Sequence, residues 1–329
     1  MDANNSVTLK TVQNAADTLS GHVVMTPVQT DETLDQLSGR RLFFKCENLQ
    51  KSGAFKFRGA YNAVSRLVSS NGPTPHQLQV VAGSTGNYAC ALAMAAKLHG
   101  VTAHAIMPDN SPECKKRGML SHGANLTLCE PAEQDIARAV KQVQNATGAV
   151  FISGADHPDV IAGHGTVGLE LLRQVPNLDA VVMPVGTGGM LAGVSVAIKS
   201  TCPEIRVYGA EPEVANGAAM SLRKGERLIF SRFPQSIADG LNVNIGAVPW
   251  TYIRSNVDDI FTVSEDEIKN AMRLVWERMQ FVVEPSGAVG VAAALSDSFK
   301  ARAVGCRNVA VILSGGNVDP DKLSEILQM

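Results

Sequence analysis

The sequence predicts an α/β fold made of two open, twisted, mostly parallel sheets in two domains. Three observations carry this. Short apolar runs rich in β-branched residues alternate along the chain with stretches of helical period, the pattern of βαβ units whose strands are covered on both faces. The chain has 329 residues, and at roughly 100–200 residues per domain that length suits a pair of domains. It is 45% hydrophobic but only 5% aromatic and contains 29 glycines, a composition suited to close helix-on-sheet packing around sizeable cores.

Taken in order, the first apolar run is 42–45. It is followed by Ser52-Gly53-Ala54-Phe55-Lys56-Phe57-Arg58-Gly59-Ala60, and then by a turn-rich crossing at 71–75, Asn-Gly-Pro-Thr-Pro. The run 79–82 leads into Gly83-Ser84-Thr85-Gly86-Asn87-Tyr88 and a helix over 87–98 that Gly100 stops. After the run 102–107, Ser111-Pro112-Glu113 reads as N-cap, first-turn proline and acidic first turn. The runs 125–128 and 149–152 complete one group of strands, and the segment 153–158 is a second crossing. The run 180–185 opens onto Gly186-Thr187-Gly188-Gly189-Met190-Leu191-Ala192-Gly193, and the run 206–210 ends at Glu211. The run 259–263 precedes Ser264-Glu265-Asp266-Glu267, a capping box. The last run, 308–313, ends at Ser314-Gly315-Gly316-Asn317. The expected division is a large domain of residues 1–77 and 156–329 with a small domain, 78–155, inserted.

Charge and composition exclude several function classes. The net charge is −2 and the pI about 6.4, so no basic surplus points to nucleic acid or an anionic membrane. No apolar run reaches the roughly 20 residues of a membrane span. The first residues lack a charged stretch followed by an apolar one, and the six cysteines form no CxxC or zinc spacing. They read as free thiols in a reducing compartment, and the expected location is cytoplasmic.

In open parallel sheets, ligands sit beyond the carboxyl ends of the strands, so the segments after the runs are the candidates for chemistry. The glycine-rich loop 186–193 exposes backbone N–H groups at a helix start, an anion cup for a phosphate. A dinucleotide fingerprint starts at Gly186 and Gly188 and breaks at Leu191, although Glu211 stands where a ribose-binding acid would. Lys56, between Phe55 and Phe57 and among small residues, is either a snorkelling surface lysine or an amine desolvated into a nucleophile. The hydroxyls and amides of Ser84 to Asn87 suit a carboxylate, or form an ordinary helix cap. Ser314 places a hydroxyl at a strand tip. A lysine able to form an imine, a phosphate cup, a carboxylate loop and a strand-tip hydroxyl together are the parts of a pyridoxal phosphate (PLP) site.

These segments resemble the fold-type II PLP enzymes (tryptophan synthase β-like), within them the serine racemases and serine/threonine dehydratases. The resemblance runs from Thr26-Pro27 to Gly315-Gly316-Asn317. It includes Phe44-Lys45-Cys46-Glu47-Asn48, Ile161-Ala162-Gly163-His164-Gly165-Thr166, Ile237-Ala238-Asp239-Gly240 and Glu284-Pro285-Ser286-Gly287. It implies that Lys56 holds PLP covalently and that Phe55 packs beside its ring. It implies further that Asn87 bonds the ring oxygen, that Gly186, Thr187, Gly188, Gly189 and Met190 hold the phosphate, and that Ser314 meets the pyridine nitrogen. Ser84, Thr85, Gly86 and Asn87 would take the substrate carboxylate. Ser84 would also be the second acid/base, on the ring face opposite Lys56. The implied substrate is a small β-hydroxy amino acid, either racemised or dehydrated; a dehydratase dedicated to threonine or 3-hydroxyaspartate is the alternative, and a silent ligand-binding regulator is the rival from another class. The implied assembly is a homodimer.

Several positions depart from the family pattern. The resemblance implies a Mg²⁺ or Ca²⁺ at Glu211 and the Ala215 carbonyl, but Gly217 stands where the third ligand, a carboxylate, is expected. Tyr88 replaces the usual histidine. Ser153-Gly154-Ala155 replaces His-Pro-Asn, Ile136 an arginine, and Val243 a serine. Of an implied nucleotide-effector site, Lys51 and Ser52 are kept, while Cys90 and Gln280 differ.

Overall fold

The computed structural model describes residues 6–71, 77–84, 86–230 and 234–327. Among the described residues ten strands form two sheets: β1 (Val28–Gln29), β2 (Arg41–Lys45), β3 (Gln79–Gly83), β4 (Thr102–Pro108), β5 (Asn125–Cys129), β6 (Val150–Phe151), β7 (Ala180–Pro184), β8 (Arg206–Pro212), β9 (Asp259–Val263) and β10 (Asn308–Ile312). A six-stranded sheet has the order β1-β2-β10-β7-β8-β9, and a four-stranded sheet the order β5-β4-β3-β6. All pairs are parallel except β1 with β2.

Each of the nine apolar runs is a strand. The interior strand β7 is buried at every position, as a parallel strand covered on both faces must be. The helix Asn87–Leu98 forms with its expected bounds, and Gly100 follows it at φ +67°. The capping box is present: Ser264 Oγ accepts from Glu267 N, and the Glu267 carboxylate accepts from Ser264 N at 2.7 Å. Ser111 is not the N-cap expected of it. The helix Glu113–Ser121 begins one residue later, and the carboxylate of Asp319 accepts from Glu113 N (3.1 Å) and Cys114 N (2.8 Å) in its place. Of the crossing at 71–75, only Asn71 lies within the described residues.

The six-stranded sheet packs helices on two faces. One core contains Val181, Met183 and Leu191, the other Phe261, Val311 and Phe299. The four-stranded sheet has its own core around Val80, Ala105 and Leu92. Among the described residues no helix is long and apolar enough to cross a membrane.

The strand ends converge. β3, β7 and β10 end at Gly83, Pro184 and Ile312, so Ser84, the 186–190 loop and Ser314 all lie just beyond carboxyl ends. The turn before Lys56 is clipped to the tip of β10: Ala54 bridges Gly315, Phe55 N donates to Ser314 O at 3.1 Å, and Gly316 N donates to Gly53 O at 2.9 Å.

Candidate active site

Lys56 opens the helix Lys56–Asn71, which crosses the helix Pro158–Gln174 at its glycines. A β-carbon on Gly163 would meet the Arg58 carbonyl oxygen at 2.6 Å, so only glycine allows this approach. Arg58, fully buried, fixes the start of the helix through Glu47 (2.8 Å) and Glu170 (2.6 Å). Lys45 adds a contact to Glu170 at 2.5 Å, giving a buried network of two cations and two anions. Lys56 is thereby held at the wall of a cavity of about 520 Å³. Its Nζ lies 4.8 Å from the centroid of the Phe55 ring. Burial lowers its ammonium to about 8, with the nearby Glu284 carboxylate opposing.

The same cavity is lined by Phe55, Ser84 and Asn87, by Gly186 through Met190, and by Ser314. Of the described residues for which a cofactor or substrate role was expected, all but Gly86 line this one cavity, and Thr85 lies outside the described residues. Gly188 adopts φ +85°, and the helix Gly189–Lys199 begins immediately after it, so its first amides face the cavity end of the loop. Thr187 Oγ1 is buried there without a hydrogen-bond partner. A β-carbon on Gly186 would come within 2.9 Å of the Gly240 carbonyl oxygen. This cradle of amides with an orphaned hydroxyl, beside a desolvated lysine and an aromatic ring, fits pyridoxal phosphate.

The sequence reading missed several groups behind the wall. Asn87 Nδ2 donates to Glu284 Oε1, and Asn87 Oδ1 accepts from Asn317 at 2.9 Å, which fixes the amide's orientation. Glu284 also pairs with Lys115 at 2.9 Å, and Lys115 with Asp239 at 2.5 Å. Burial raises the Glu284 carboxyl above its ordinary value, and Lys115 opposes this. Burial would lower the Lys115 ammonium, but the two carboxylates more than reverse that and hold it charged. Glu284 carried a signal, as an acid directly before an apolar helix. Lys115 carried none, since it sits in a run with Lys116 and Arg117 that reads as a solvated face. His164, fully buried, stands edge-on to Phe55 at 4.7 Å, and burial first and the Lys56 charge second hold it neutral.

Glu211 and Ala215 stand apart from this cavity. The two oxygens of Glu211 accept from Ala218 N (3.0 Å) and Ala219 N (2.8 Å), so the carboxylate caps the helix Gly217–Lys224. A β-carbon at Gly217 would meet the Phe230 ring at 2.9 Å. Among the described residues there is no group of three His, Cys, Asp or Glu side chains able to hold a metal ion. One carboxylate already engaged by amides, with an aromatic ring at the next position, does not fit a Mg²⁺ or Ca²⁺ that takes about six oxygen ligands.

The model of the pyridoxal-phosphate dependent enzyme family matches residues 19–315. The chain belongs to this family. It is 44% identical to human serine racemase over 324 residues, covering 97% of this chain and 94% of that protein. It is 40% identical to the beta-hydroxyaspartate dehydratase of Paracoccus denitrificans, covering 94% of this chain and 96% of the relative. The solved structure of maize serine racemase superposes with a TM-score of 0.92 at 37% identity, over 98% of this chain and 97% of that one. The chain is accordingly a fold-type II PLP enzyme, and the two mostly parallel sheets are those expected of the class.

Proposed function

We propose that this enzyme racemises serine and also acts as an ammonia-lyase on L-serine and L-threonine. The observation that carries the reading is the convergence of Lys56, Ser84 and the 186–190 cup on one cavity. Bound there, pyridoxal phosphate supplies the electron sink that makes the Cα proton of an amino acid removable. The 186–190 amides and Thr187 would hold its phosphate, Phe55 would support its ring, and Asn87, oriented by Glu284 and Asn317, would meet the ring oxygen. Ser314 would meet the pyridine nitrogen as a neutral hydroxyl and would not stabilise a charge there as a carboxylate would. Lys56 Nζ, desolvated enough to be a base near pH 8, takes the Cα proton on one face. Ser84 Oγ gives or takes it on the other. Return of the proton from the Ser84 side inverts the centre; loss of the Cα proton and the β-hydroxyl together as water, followed by hydrolysis with one water, gives a 2-oxo acid and ammonia. One site serves both outcomes.

The relatives named above support the substrate class, and the two separate sheets support a large unit of 1–77 and 156–329 with 78–155 inserted. Exposed Met25, Leu49 and Val282, on segments joined by hydrogen bonds, support a homodimer. The six free cysteines support a cytoplasmic location. Lys51 and Ser52 keep part of a nucleotide-effector site, whereas Cys90 is buried with its thiol donating to the Lys115 carbonyl. A nucleotide effector would therefore meet Lys51 and Ser52 without a contribution from the Cys90 thiol.

The test is direct. Holoenzyme is given L-serine, D-serine, L-threonine and 3-hydroxyaspartate, and enantiomers and 2-oxo acids are measured together. Lys56→Ala should lose the imine absorbance and both activities. Ser84→Ala should lose racemisation and keep most L-serine dehydration. An unchanged spectrum in the first variant, or equal losses of both reactions in the second, refutes the assignment.

A further inference from the structure

Two departures from the family pattern, Tyr88 for histidine and Ser153-Gly154-Ala155 for His-Pro-Asn, are one change in three dimensions. Tyr88 and Gly154 face each other across the cavity wall, and both line the cavity. A β-carbon on Gly154 would meet the Tyr88 ring at 2.7 and 2.8 Å, so the phenol occupies the space a side chain from that loop would take. Ser153 Oγ is used within its own turn, accepting from Ala155 N (3.2 Å) and Asp156 N (3.0 Å). Nearby walls are apolar: Ile136 packs so closely on Gly83, directly before Ser84, that a β-carbon there would lie 2.3 Å from its Cγ2.

Tyr88 is 3% exposed, and its hydroxyl is buried without a hydrogen-bond partner. Such a group is costly to leave unmade, and in a binding pocket a bound ligand can supply its partner. Burial also pushes the phenol well above its ordinary value, so it stays a neutral donor at every working pH.

We propose that Tyr88 is a specificity-determining residue: its Oη donates a hydrogen bond to the β-oxygen of the substrate, and its ring, seated on Gly154, sets the width of the side-chain subsite. The assignment rests on the reading of the cavity as a β-hydroxy amino-acid site. It assigns the β-hydroxyl a dedicated donor, distinct from the carboxylate loop and from Ser84. A site that bonds a substrate hydroxyl discriminates against the analogue without it, because its own polar group is then left unpaired.

The test compares L-serine with L-alanine, the same amino acid lacking the β-oxygen. In Tyr88→Phe holoenzyme, the KM for L-serine should rise about two- to tenfold, the range of one neutral hydrogen bond. The inhibition constant of L-alanine should stay within about twofold. A parallel change for both ligands, or no change for either, overturns the role of the hydroxyl. Gly154→Ala should weaken both ligands, and adding Tyr88→Ala to the same chain should relieve that loss; strict additivity of the two changes overturns the pairing of ring and glycine. Wild-type enzyme that acts on no β-hydroxy amino acid would instead sink the functional reading itself, so the two failures are separable.

Discussion

An ammonium is stable in water, and Lys56 is held largely away from it. The side chain reaches the cavity but is enclosed by Phe55, the β10 tip and Glu284, and its ammonium falls to about 8. That shift has a measurable sign. In the unfolded chain the amine titrates at its ordinary 10.5. Between the two values the unfolded chain holds the proton and the folded chain does not, so apoenzyme stability rises with pH across this window; below pH 8 the full penalty applies. Lys56→Met removes the amine. The variant apoenzyme should exceed the wild type by on the order of 1–2 kcal/mol at pH 7, a figure reduced for the water the cavity admits, and the gain should vanish near pH 10.5. Urea unfolding of both apoproteins at the two pH values measures it, and a gain that persists at pH 10.5 contradicts the burial argument.

At the scale of elements, the nine apolar runs are nine strands; interior strands such as β7 were legible because burial on both faces makes an uninterrupted apolar run, while β5 and β6 at the sheet edges are largely exposed and were legible from their β-branched and apolar residues. β1 was not, since two residues carry no periodicity and its antiparallel pairing to β2 depends on the fold around it. Strand tips were legible as candidate sites because glycine and hydroxyl residues follow the apolar runs directly. Long-range caps were not: Asp319 serves a helix 206 residues away, and nothing near Ser111 reveals that it is displaced. Glu211 was read from the resemblance as a cation ligand, and only the structure gives its partners, two amides of the helix Gly217–Lys224. With Phe230 filling the position beside Gly217, this element needs no cation. EDTA should leave the melting temperature unchanged within about 1 °C, and added Ca²⁺ or Mg²⁺ should not raise it, whereas a ligand at 100 times its Kd adds about 2.7 kcal/mol. Gly217→Asp combined with Phe230→Ala restores the missing carboxylate and makes room for it, and should create a cation-dependent rise. Cation stabilisation of the unaltered chain would show that Glu211 leaves its helix to bind metal.

Across the whole molecule, the two sheets share an apolar core in which Phe57 and Tyr61 pack with Leu92 and Ala105, and one short helix adds polar ties to it. Glu113–Ser121 joins β4 to β5 in the four-stranded sheet, yet Asp319, Asp239 and Glu284, which bond to it, come from the other side of the cavity. Asp319 takes its first amides, and Lys115 meets both Asp239 and Glu284. Lys115 also sets the floor of the carboxylate loop: a β-carbon on Gly86 would lie 2.2 Å from its Cδ, so the loop rests on the lysine stem. The same residue thus ties the sheets together, neutralises the acid that orients Asn87, and supports the segment proposed to hold substrate. A buried pair stabilises little when compared with an apolar replacement of both partners, but removing one partner strands the other charge. Lys115→Met should therefore cost about 3–5 kcal/mol in urea unfolding. Adding Asp239→Asn should recover part of that loss, because it removes one of the two stranded carboxylates, and the double-mutant cycle gives their coupling. The loop effect separates from the stability effect: at a temperature where the variant remains folded, KM for serine should rise as the loop loses its support, while the cofactor absorbance, set by Lys56, stays in place. If Lys115→Met costs less than about 1 kcal/mol, or leaves KM untouched, the two sheets are held by apolar packing alone and the helix is not their clasp.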